Sequence, residues 1–264
     1  MNLYRIWALL IRYTLDLKHH IARQLMWIYF PALDVILFGL MGKWFSQLEA
    51  DQKVQMLILY LAARVLWAMS DALYKESTGD IQIELESLNI INLFGSPLKL
   101  SEWVVATTII GLLRGLFILL YGAFLSWLFF GANIFSTGLR IFPIITLISL
   151  ALLPLALVIS GLYIRYGLQT RFIRWSLVYG LLFLSAVFYP ISLFPGWLAI
   201  ISTMLPTTHL FFALQQLILH NTVEYRSIII GSLLIIVYTL LAILFIAYSF
   251  KQSKDEGLSL LERV

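Results

Sequence analysis

The feature that most constrains this chain is a series of long apolar segments separated by short polar stretches. Six of these segments are long enough to cross a lipid bilayer, which takes about 20 residues of α-helix. They cover approximately residues 24–45, 56–74, 102–131, 141–164, 173–194 and 227–250. No internal repeat or linker divides them, so the sequence predicts an all-α integral membrane protein with one transmembrane domain over residues 1–264.

Composition supports this prediction and argues against several kinds of chemistry. The chain is 61% hydrophobic and 12% charged, whereas soluble domains are about 45–50% apolar and about 25% charged. It has no cysteine, and its four histidines lack carboxylates at ligand spacing, so no metal site is predicted. Because the chain has neither a P-loop nor a G-x-S-x-G motif, we expect no catalysis and no bound cofactor in it. The modest net charge of +4 does not indicate a nucleic-acid partner.

The basic residues predict how the chain is oriented. Loops on one side of the predicted spans carry twelve Lys and Arg residues, and loops on the other side carry four. Cytoplasmic loops are enriched in basic residues, so we expect both termini in the cytoplasm and the chain in a bacterial-type plasma (inner) membrane. The cytoplasmic set is Arg5, Arg12, Lys18, Arg23, Lys75, Lys99, Arg165, Arg171, Arg174, Lys251, Lys254 and Arg263. The opposite set is Lys43, Lys53, Arg140 and Arg226.

Residues 1–22 have a pattern that predicts an amphipathic helix. One stripe at helical spacing consists of Leu3, Ile6, Trp7, Leu10, Tyr13, Thr14 and Leu17. The basic residues of the segment lie off that stripe, so we expect the helix in the lipid headgroup layer with Trp7 and Tyr13 as anchors. The alternative is an ordinary helix that packs on the cytoplasmic side of the bundle.

The longest polar interruption lies between the second and third apolar segments. It has four acidic residues and no base between Glu76 and Glu86. Its apolar residues recur at roughly helical spacing, which predicts a short amphipathic helix over about 80–94. Ser96 and Pro97 are expected to be the N-cap and the first residue of the next helix. The short helix either presents a solvated acidic face or docks on a basic partner protein.

A proline-rich apolar stretch precedes the last predicted span. Pro190, Pro195 and Pro206 divide it into pieces that are too short to cross a bilayer, because proline interrupts helices. We therefore predict a re-entrant helical hairpin over about 190–219 that enters from the outer side and returns. Counting it as a seventh span would place the C-terminus outside the cell.

Charged residues also fall inside the predicted spans, where they are costly and face protein or water. Asp34, Arg64 and Arg114 are expected at a similar depth near the middle of the membrane. We predict that Asp34 pairs with one of the two arginines, which leaves one positive charge, and that Asp71 lies close enough to the cytoplasm to reach water. These groups either fix the helix register or contact a substrate. The G-x-x-x-G pattern at Gly111–Gly115 predicts close helix packing.

Two further strings carry a resemblance to a known family. They are N-L-F-G-S-P-L at Asn92–Leu98 and F-Y-P-I-S-x-F-P-G-W-L with L-P-T-T-H within Phe188–His209. Together with the interface helix and the six spans, they make the chain resemble the permease subunits of type 2 ATP-binding-cassette exporters over essentially its whole length.

The resemblance implies a dimer of permeases and two separate cytoplasmic ATPase subunits, which bind ATP and Mg. It also implies that helix 80–94 is the coupling helix received by the ATPase and that hairpin 190–219 caps the exit. The residues implied in the ATPase contact are Glu84, Leu85, Glu86, Leu88, Ile91 and Phe94. The two glutamates would meet basic residues of the ATPase. The substrate class would be a polysaccharide, a lipid-linked molecule or an amphiphilic drug-like molecule.

Other functional classes remain open. A secondary transporter would have inverted repeats and polar residues at broken helices, and a channel would have a ring of like residues or a filter-like loop. An intramembrane enzyme would need a catalytic dyad. The chain shows neither internal symmetry nor such a dyad, and the proline-rich stretch is the one candidate for a filter.

Overall fold

The computed structural model describes residues 1–19, 21–48 and 53–255. In these ranges the chain is helical and has no strand, which confirms the predicted all-α class. Three short 3-10 turns lie at Gly138–Ile141, Gly167–Thr170 and Ile191–Leu193. The α-helices, in chain order, are α1 Leu3–His19, α2 Ile21–Leu48, α3 Lys53–Glu86, α4 Ile90–Gly95, α5 Leu100–Phe130, α6 Phe142–Leu150, α7 Leu153–Tyr166, α8 Arg171–Leu184, α9 Gly196–Thr203, α10 Pro206–His220 and α11 Tyr225–Asp255.

Several helical segments have the length and composition needed to cross a membrane, as in a multi-pass membrane protein. In the described part of the chain there are five, at Trp27–Gln47, Val54–Glu86, Leu100–Phe130, Gly138–Leu184 and Tyr225–Asp255. A sixth is added if α9 and α10, which meet at a bend of 94°, are taken as one broken span.

The segment Gly138–Leu184 is not straight. The Tyr163 hydroxyl and Arg174 Nη1 both donate to Gln82 Oε1, at 3.3 and 2.5 Å. Eleven residues of one straight helix would separate these two positions by about 16 Å. The chain therefore turns back between them, through the 3-10 turn that starts at Gly167, whose φ is 67°.

This reversal agrees with two predicted helices at 141–164 and 173–194, but the second prediction is too long. Helix α8 ends at Leu184, ten residues early. The Ser185 hydroxyl donates to the Leu181 carbonyl, and Ala186 adopts a left-handed conformation with φ 48°. Pro190 also cannot supply a backbone donor to a continuing helix.

Helix α3 lies at the centre of the bundle and α5 crosses it closely. Leu61, Leu66 and Leu73 of α3 are fully buried. A Cβ atom on Gly111 would lie 2.8 Å from Leu73 Cα, and one on Gly115 would lie 2.8 Å from the Met69 carbonyl oxygen. The two backbones touch where α5 has no side chains, so the predicted packing role of this glycine pair is confirmed.

The prediction of a separate helix over 80–94 is wrong. Helix α3 continues without a break to Glu86, because Ile81 and Leu85 extend its buried face into the core. The chain leaves the helix at Leu88, which has φ 53°, and the Asn89 amide donates to the Glu84 carbonyl at 2.9 Å. Residues 90–95 then form the separate short helix α4.

The predicted start of the next helix is also wrong. Ser96 is the C-cap of α4, and its hydroxyl donates to the Leu93 carbonyl at 2.6 Å. Helix α5 begins at Leu100 with Lys99 as N-cap, and Glu102 accepts the Lys99 amide at 3.1 Å. A glutamate at the third helical position satisfies an amide that would otherwise lack a partner.

The three prolines do divide the stretch before α11 as predicted. Pro190 precedes the 3-10 turn at Ile191–Leu193, Pro195 is the N-cap of α9, and Pro206 is the first residue of α10. The two helices meet at 94° and do not form an antiparallel hairpin. Entry of this pair into a membrane from the outer side stays a prediction.

Candidate functional site

A cleft of about 390 Å³ opens between α2, α3, α5 and α8 and is lined by seven charged side chains. We call it the cleft throughout. Its charged residues are Asp34, Arg64, Asp71, Lys75, Glu76, Arg114 and Arg174. Its aromatic residues are Trp27, Phe30 and Trp175. The wall formed by α3 is one helical stripe, because each successive member lies one, three or four residues after the one before it: Arg64, Ala68, Asp71, Ala72, Lys75, Glu76, Gly79, Gln82 and Ile83.

The predicted ion pair of Asp34 is present in the cleft. Its carboxylate accepts a hydrogen bond from Arg64 Nη2. The Arg64 guanidinium also lies 5.6 Å from the ring of Phe38, within cation–π distance. The pair joins α2 to α3, and both side chains are partly exposed to the cleft.

The expectation that a positive charge remains next to this pair is wrong. Arg114 forms an ion pair with Glu76, and both side chains are almost fully buried. The Arg114 guanidinium lies 4.3 Å from the ring of Trp27. Glu76 reaches Arg114 because α3 continues as a helix past the predicted end of span two and Gly115 brings α5 against it.

Asp71 does not reach water as predicted. It is 8% exposed and accepts a salt bridge from Lys75 Nζ at 2.6 Å, one turn along α3. Lys75 Nζ lies 5.7 Å from the ring of Trp175 on α8. Asp71 thus belongs to the wall of the cleft.

Arg174 is the residue of the cleft that the sequence pattern assigned to a loop. It lies in the first turn of α8, is 8% exposed, and binds three groups of α3. Its Nε donates to Thr78 Oγ1 at 2.8 Å, its Nη1 to Gln82 Oε1 at 2.5 Å and its Nη2 to the Lys75 carbonyl at 3.0 Å. The sequence provided little indication that Arg174 binds α3. A basic residue next to a turn occupies the same position in the sequence whether its side chain faces water or a neighbouring helix.

A second cluster of polar groups joins α1 to the end of α3 and the start of α5. We call it the junction and define it by Arg12, Tyr13, Glu84, Asn89 and Trp103. Glu84 is 1% exposed and accepts from Arg12 Nη2 at 2.6 Å, from the Tyr13 hydroxyl at 3.4 Å and from Asn89 Nδ2 at 2.5 Å. Trp103 Nε1 donates to the Tyr13 hydroxyl at 3.1 Å.

The junction overturns part of the predicted partner contact. Glu84 is enclosed by its own chain, so it cannot meet basic residues of another protein. Leu85 and Phe94 are buried as well, and the ring of Phe94 lies 4.8 Å from that of Phe250 on α11. These three residues stabilise the end of the bundle.

Other residues of the predicted contact are accessible. We call Ser87–Asn89 the exposed turn, and Leu88 at its centre is 58% exposed. Glu86, on the last turn of α3, is exposed and pairs with Arg171 at the start of α8. Ile91 is half-buried. A partner protein would therefore meet Leu88 and Glu86 first.

Helix α1 lies against α5 with one apolar face, while a second apolar face is exposed. Ile6, Leu9 and Tyr13 are buried, so Tyr13 is not an interface anchor. Trp7 is 63% exposed, and Tyr4, Ile11 and Leu15 are exposed beside it. The start of the helix is held by Glu102, which accepts the Asn2 amide at 2.7 Å. The exposed face is compatible with the predicted contact of α1 with lipid.

Helix α2, one of the four helices around the cleft, is held less firmly than α3 and α5. Helix α2 contains Pro31, which lines the cleft and has no amide hydrogen for the Trp27 carbonyl. More than half of the α2 side chains that the structure describes are also exposed.

In the part of the chain that the structure describes, no group of three His, Cys, Asp or Glu residues is arranged to hold a metal ion.

Compared with known proteins, the sequence matches no protein-family model and no curated protein.

Proposed function

We propose that this chain is the transmembrane permease subunit of an ATP-driven exporter, which forms its translocation path as a dimer and is coupled to a separate cytoplasmic ATPase. The observation that carries the proposal is the continuity of α3. One unbroken helix bears the charged wall of the cleft and ends beside the exposed turn, where a partner can push. A displacement of Leu88 would be transmitted to Arg64 along α3.

The cleft supports a translocation path because of its depth and charge. Arg64 lies about 16 Å along α3 from its first residue, close to the middle of a hydrocarbon core about 30 Å thick. Charged groups at that depth are stable only where they face protein or water. A second copy of the chain over the open side of the cleft would provide that environment and complete the path.

The exposed turn supports an ATPase contact. Leu88 is apolar and stands out at the end of α3, with exposed Glu86 and Asn92 beside it. Because the chain has no nucleotide-binding motif, ATP and Mg would be bound by the partner subunit. Closure of two such ATPases would press on the exposed turn and move α3 and α5 together.

The remaining parts fit this scheme. Helix α1 would lie in the headgroup layer of the cytoplasmic leaflet, with both termini in the cytoplasm. The α9–α10 pair would cap the exit on the outer side of the plasma (inner) membrane. The aromatic and charged lining of the cleft is compatible with an amphiphilic substrate such as a lipid-linked molecule, a polysaccharide or a drug-like molecule.

Affinity purification of the tagged chain from its native membrane tests the proposal. We expect a stoichiometric P-loop ATPase to co-purify, and we expect Leu88→Asp to remove it by placing a charge at the centre of the contact. Leu139→Asp is the matched control, because Leu139 is 84% exposed but lies in a different turn, outside α3 and the exposed turn. A preparation without ATPase, repeated after cross-linking, would contradict the exporter assignment.

A secondary transporter or channel that does not use ATP is the alternative. The observation in its favour is the set of paired charges inside the cleft, since substrate-driven exchange of ion-pair partners needs no ATPase. Transport into or out of vesicles that hold the purified chain and no nucleotide would favour it. Steady single-channel currents would select the channel.

A further inference from the structure

We propose that the cleft binds the anionic headgroup of an amphiphile and that Arg174 is the residue that selects it. The proposal rests on the proposed function in taking the cleft as a substrate site, and it adds the chemical class of the ligand. It begins with the charges of the described residues that line the cleft. Four are basic and three are acidic, so the cleft has an excess of one positive charge.

The excess charge can be assigned to one side chain. Each carboxylate is matched with a basic residue: Asp34 with Arg64, Asp71 with Lys75, and Glu76 with Arg114. Arg174 is the fourth basic residue, and over the described ranges it forms no ion pair. Its three acceptors, a hydroxyl, an amide oxygen and a carbonyl, are neutral.

Arg174 also retains hydrogen-bonding capacity. A guanidinium has five N–H donors. Three are used by Thr78, Gln82 and the Lys75 carbonyl, which leaves one N–H on each terminal nitrogen. Two donors on one cationic planar group can serve the oxygens of a phosphate or a carboxylate. The three neutral acceptors hold the guanidinium in place before a ligand arrives, so little side-chain entropy is lost on binding.

The neighbours of Arg174 add a second basic side chain, Lys75, whose charge is matched by Asp71, and an apolar surface. The guanidinium lies 5.2 Å from the ring of Trp175, and Lys75 Nζ lies 5.7 Å from the same ring. Trp27, Phe30, Ile83 and Ile118 add apolar and aromatic surface to the same lining. A ligand with an anionic head and an apolar tail matches both the basic and the apolar lining, whereas a cationic head would meet the unmatched charge of Arg174.

Binding to the purified chain without any ATPase tests this inference separately from the exporter assignment. The full-length protein is placed in nanodiscs of phosphatidylcholine, and dodecyl phosphate is titrated below its micellar concentration by calorimetry. We expect saturable binding. We expect dodecyltrimethylammonium, with the same tail and the opposite charge, to bind at least about tenfold more weakly, a difference of about one charge-assisted hydrogen bond. Equal binding of the two probes would overturn the proposal.

Variants locate the site. Arg174→Gln should weaken the binding of dodecyl phosphate at least about tenfold. The matched control is Arg140→Gln, because Arg140 is exposed, lies outside the cleft and donates to Asn221. If Arg174→Gln does not fold, Arg174→Lys keeps the charge without the paired donors and should still bind dodecyl phosphate, but more weakly than the wild type. Unchanged affinity in a folded Arg174 variant would refute the assignment.

Two further probes define the ligand. Inorganic phosphate should bind at least about tenfold more weakly than dodecyl phosphate, since it gains nothing from the apolar lining. Equal affinity would overturn the amphiphile part of the proposal. Nanodiscs that contain the anionic lipid phosphatidylglycerol show whether the ligand comes from the bilayer or from elsewhere. Competition with dodecyl phosphate identifies a bilayer lipid, and undiminished binding identifies an amphiphile delivered to the cleft, both of which satisfy the proposal.

Discussion

The junction and the cleft both place carboxylates inside the bundle, but they treat them differently. In the junction, Glu84 is surrounded by donors from α1 and from Asn89 and is closed to solvent. In the cleft, three carboxylates each pair with a basic residue around an open volume, and Arg174 binds neutral groups. A closed network of this kind stabilises one arrangement of helices, whereas an open one with surplus charge can accept a ligand.

The buried pair of the cleft should give the largest effect on stability. We expect Arg114→Leu to lower the free energy of unfolding by about 3–5 kcal/mol, because Glu76 loses its buried basic partner. The measurement is an unfolding transition in detergent. The double variant Arg114→Leu with Glu76→Leu should recover much of the loss, since removing both charges removes the uncompensated one. An unaltered transition in the single variant would mean that this part of the cleft is more hydrated than the junction.

Glu84 and Glu86 sharpen the comparison, because they lie two residues apart on the same helix. Glu84→Gln should cost about 1.5–3 kcal/mol of stability, the range for a hydrogen bond to a charged group. Glu86→Gln should cost no more than about 1 kcal/mol, as expected for an exposed ion pair. Thermal unfolding of both variants, together with ATPase co-purification, is the measurement. Loss of the ATPase with full stability in Glu84→Gln would reverse the roles given to the two glutamates.

Within the junction, the Tyr13 hydroxyl should give a smaller effect than Glu84, and one that depends on pH. Burial, and then the neighbouring Asp80 and Glu84 carboxylates, raise the pKa of Tyr13 well above its ordinary value. The folded state therefore favours the protonated phenol, and its contribution to stability is complete below about pH 10 and is lost as the pH rises further.

We expect Tyr13→Phe to cost about 0.5–1.5 kcal/mol near neutral pH, the range for a neutral hydrogen bond. Above about pH 10 the difference between the wild type and the variant should shrink, because the phenylalanine has no proton to lose. Denaturation curves at several pH values measure it. A difference that grows with pH would contradict the sign of the pKa shift.

The sequence predicted the helical class and most long helices well because apolar length and proline spacing act locally. Helices α2, α5 and α11 lie within a few residues of the predicted spans. The sequence also predicted that Asp34 pairs with Arg64 or Arg114, since opposite charges at equal depth in the membrane attract each other, but it did not choose between the two arginines. The glycine pair on α5 was likewise visible as a local pattern.

What the sequence did not predict depends on contacts between distant segments. Whether α3 stops near residue 74, as predicted, or continues to Glu86 is decided by the core that buries Ile81 and Leu85. Acidic residues in that stretch resembled a solvated face, yet Glu84 meets Arg12 of α1 and Glu76 meets Arg114 of α5. Arg174 resembled a loop charge because its acceptors on α3 lie 92 to 99 residues away along the chain.

Pro31 has a consequence for how a cargo of variable size could be accommodated. The walls made by α3 and α5 are fixed to each other at Gly111 and Gly115, where there is no room for even one added carbon atom. The opposite wall, α2, lacks a main-chain hydrogen bond at Pro31, and few of its described side chains are buried. The α2 wall is therefore held less firmly than the α3–α5 wall. We expect a bulky ligand to displace α2 and to leave α3 and α5 in place.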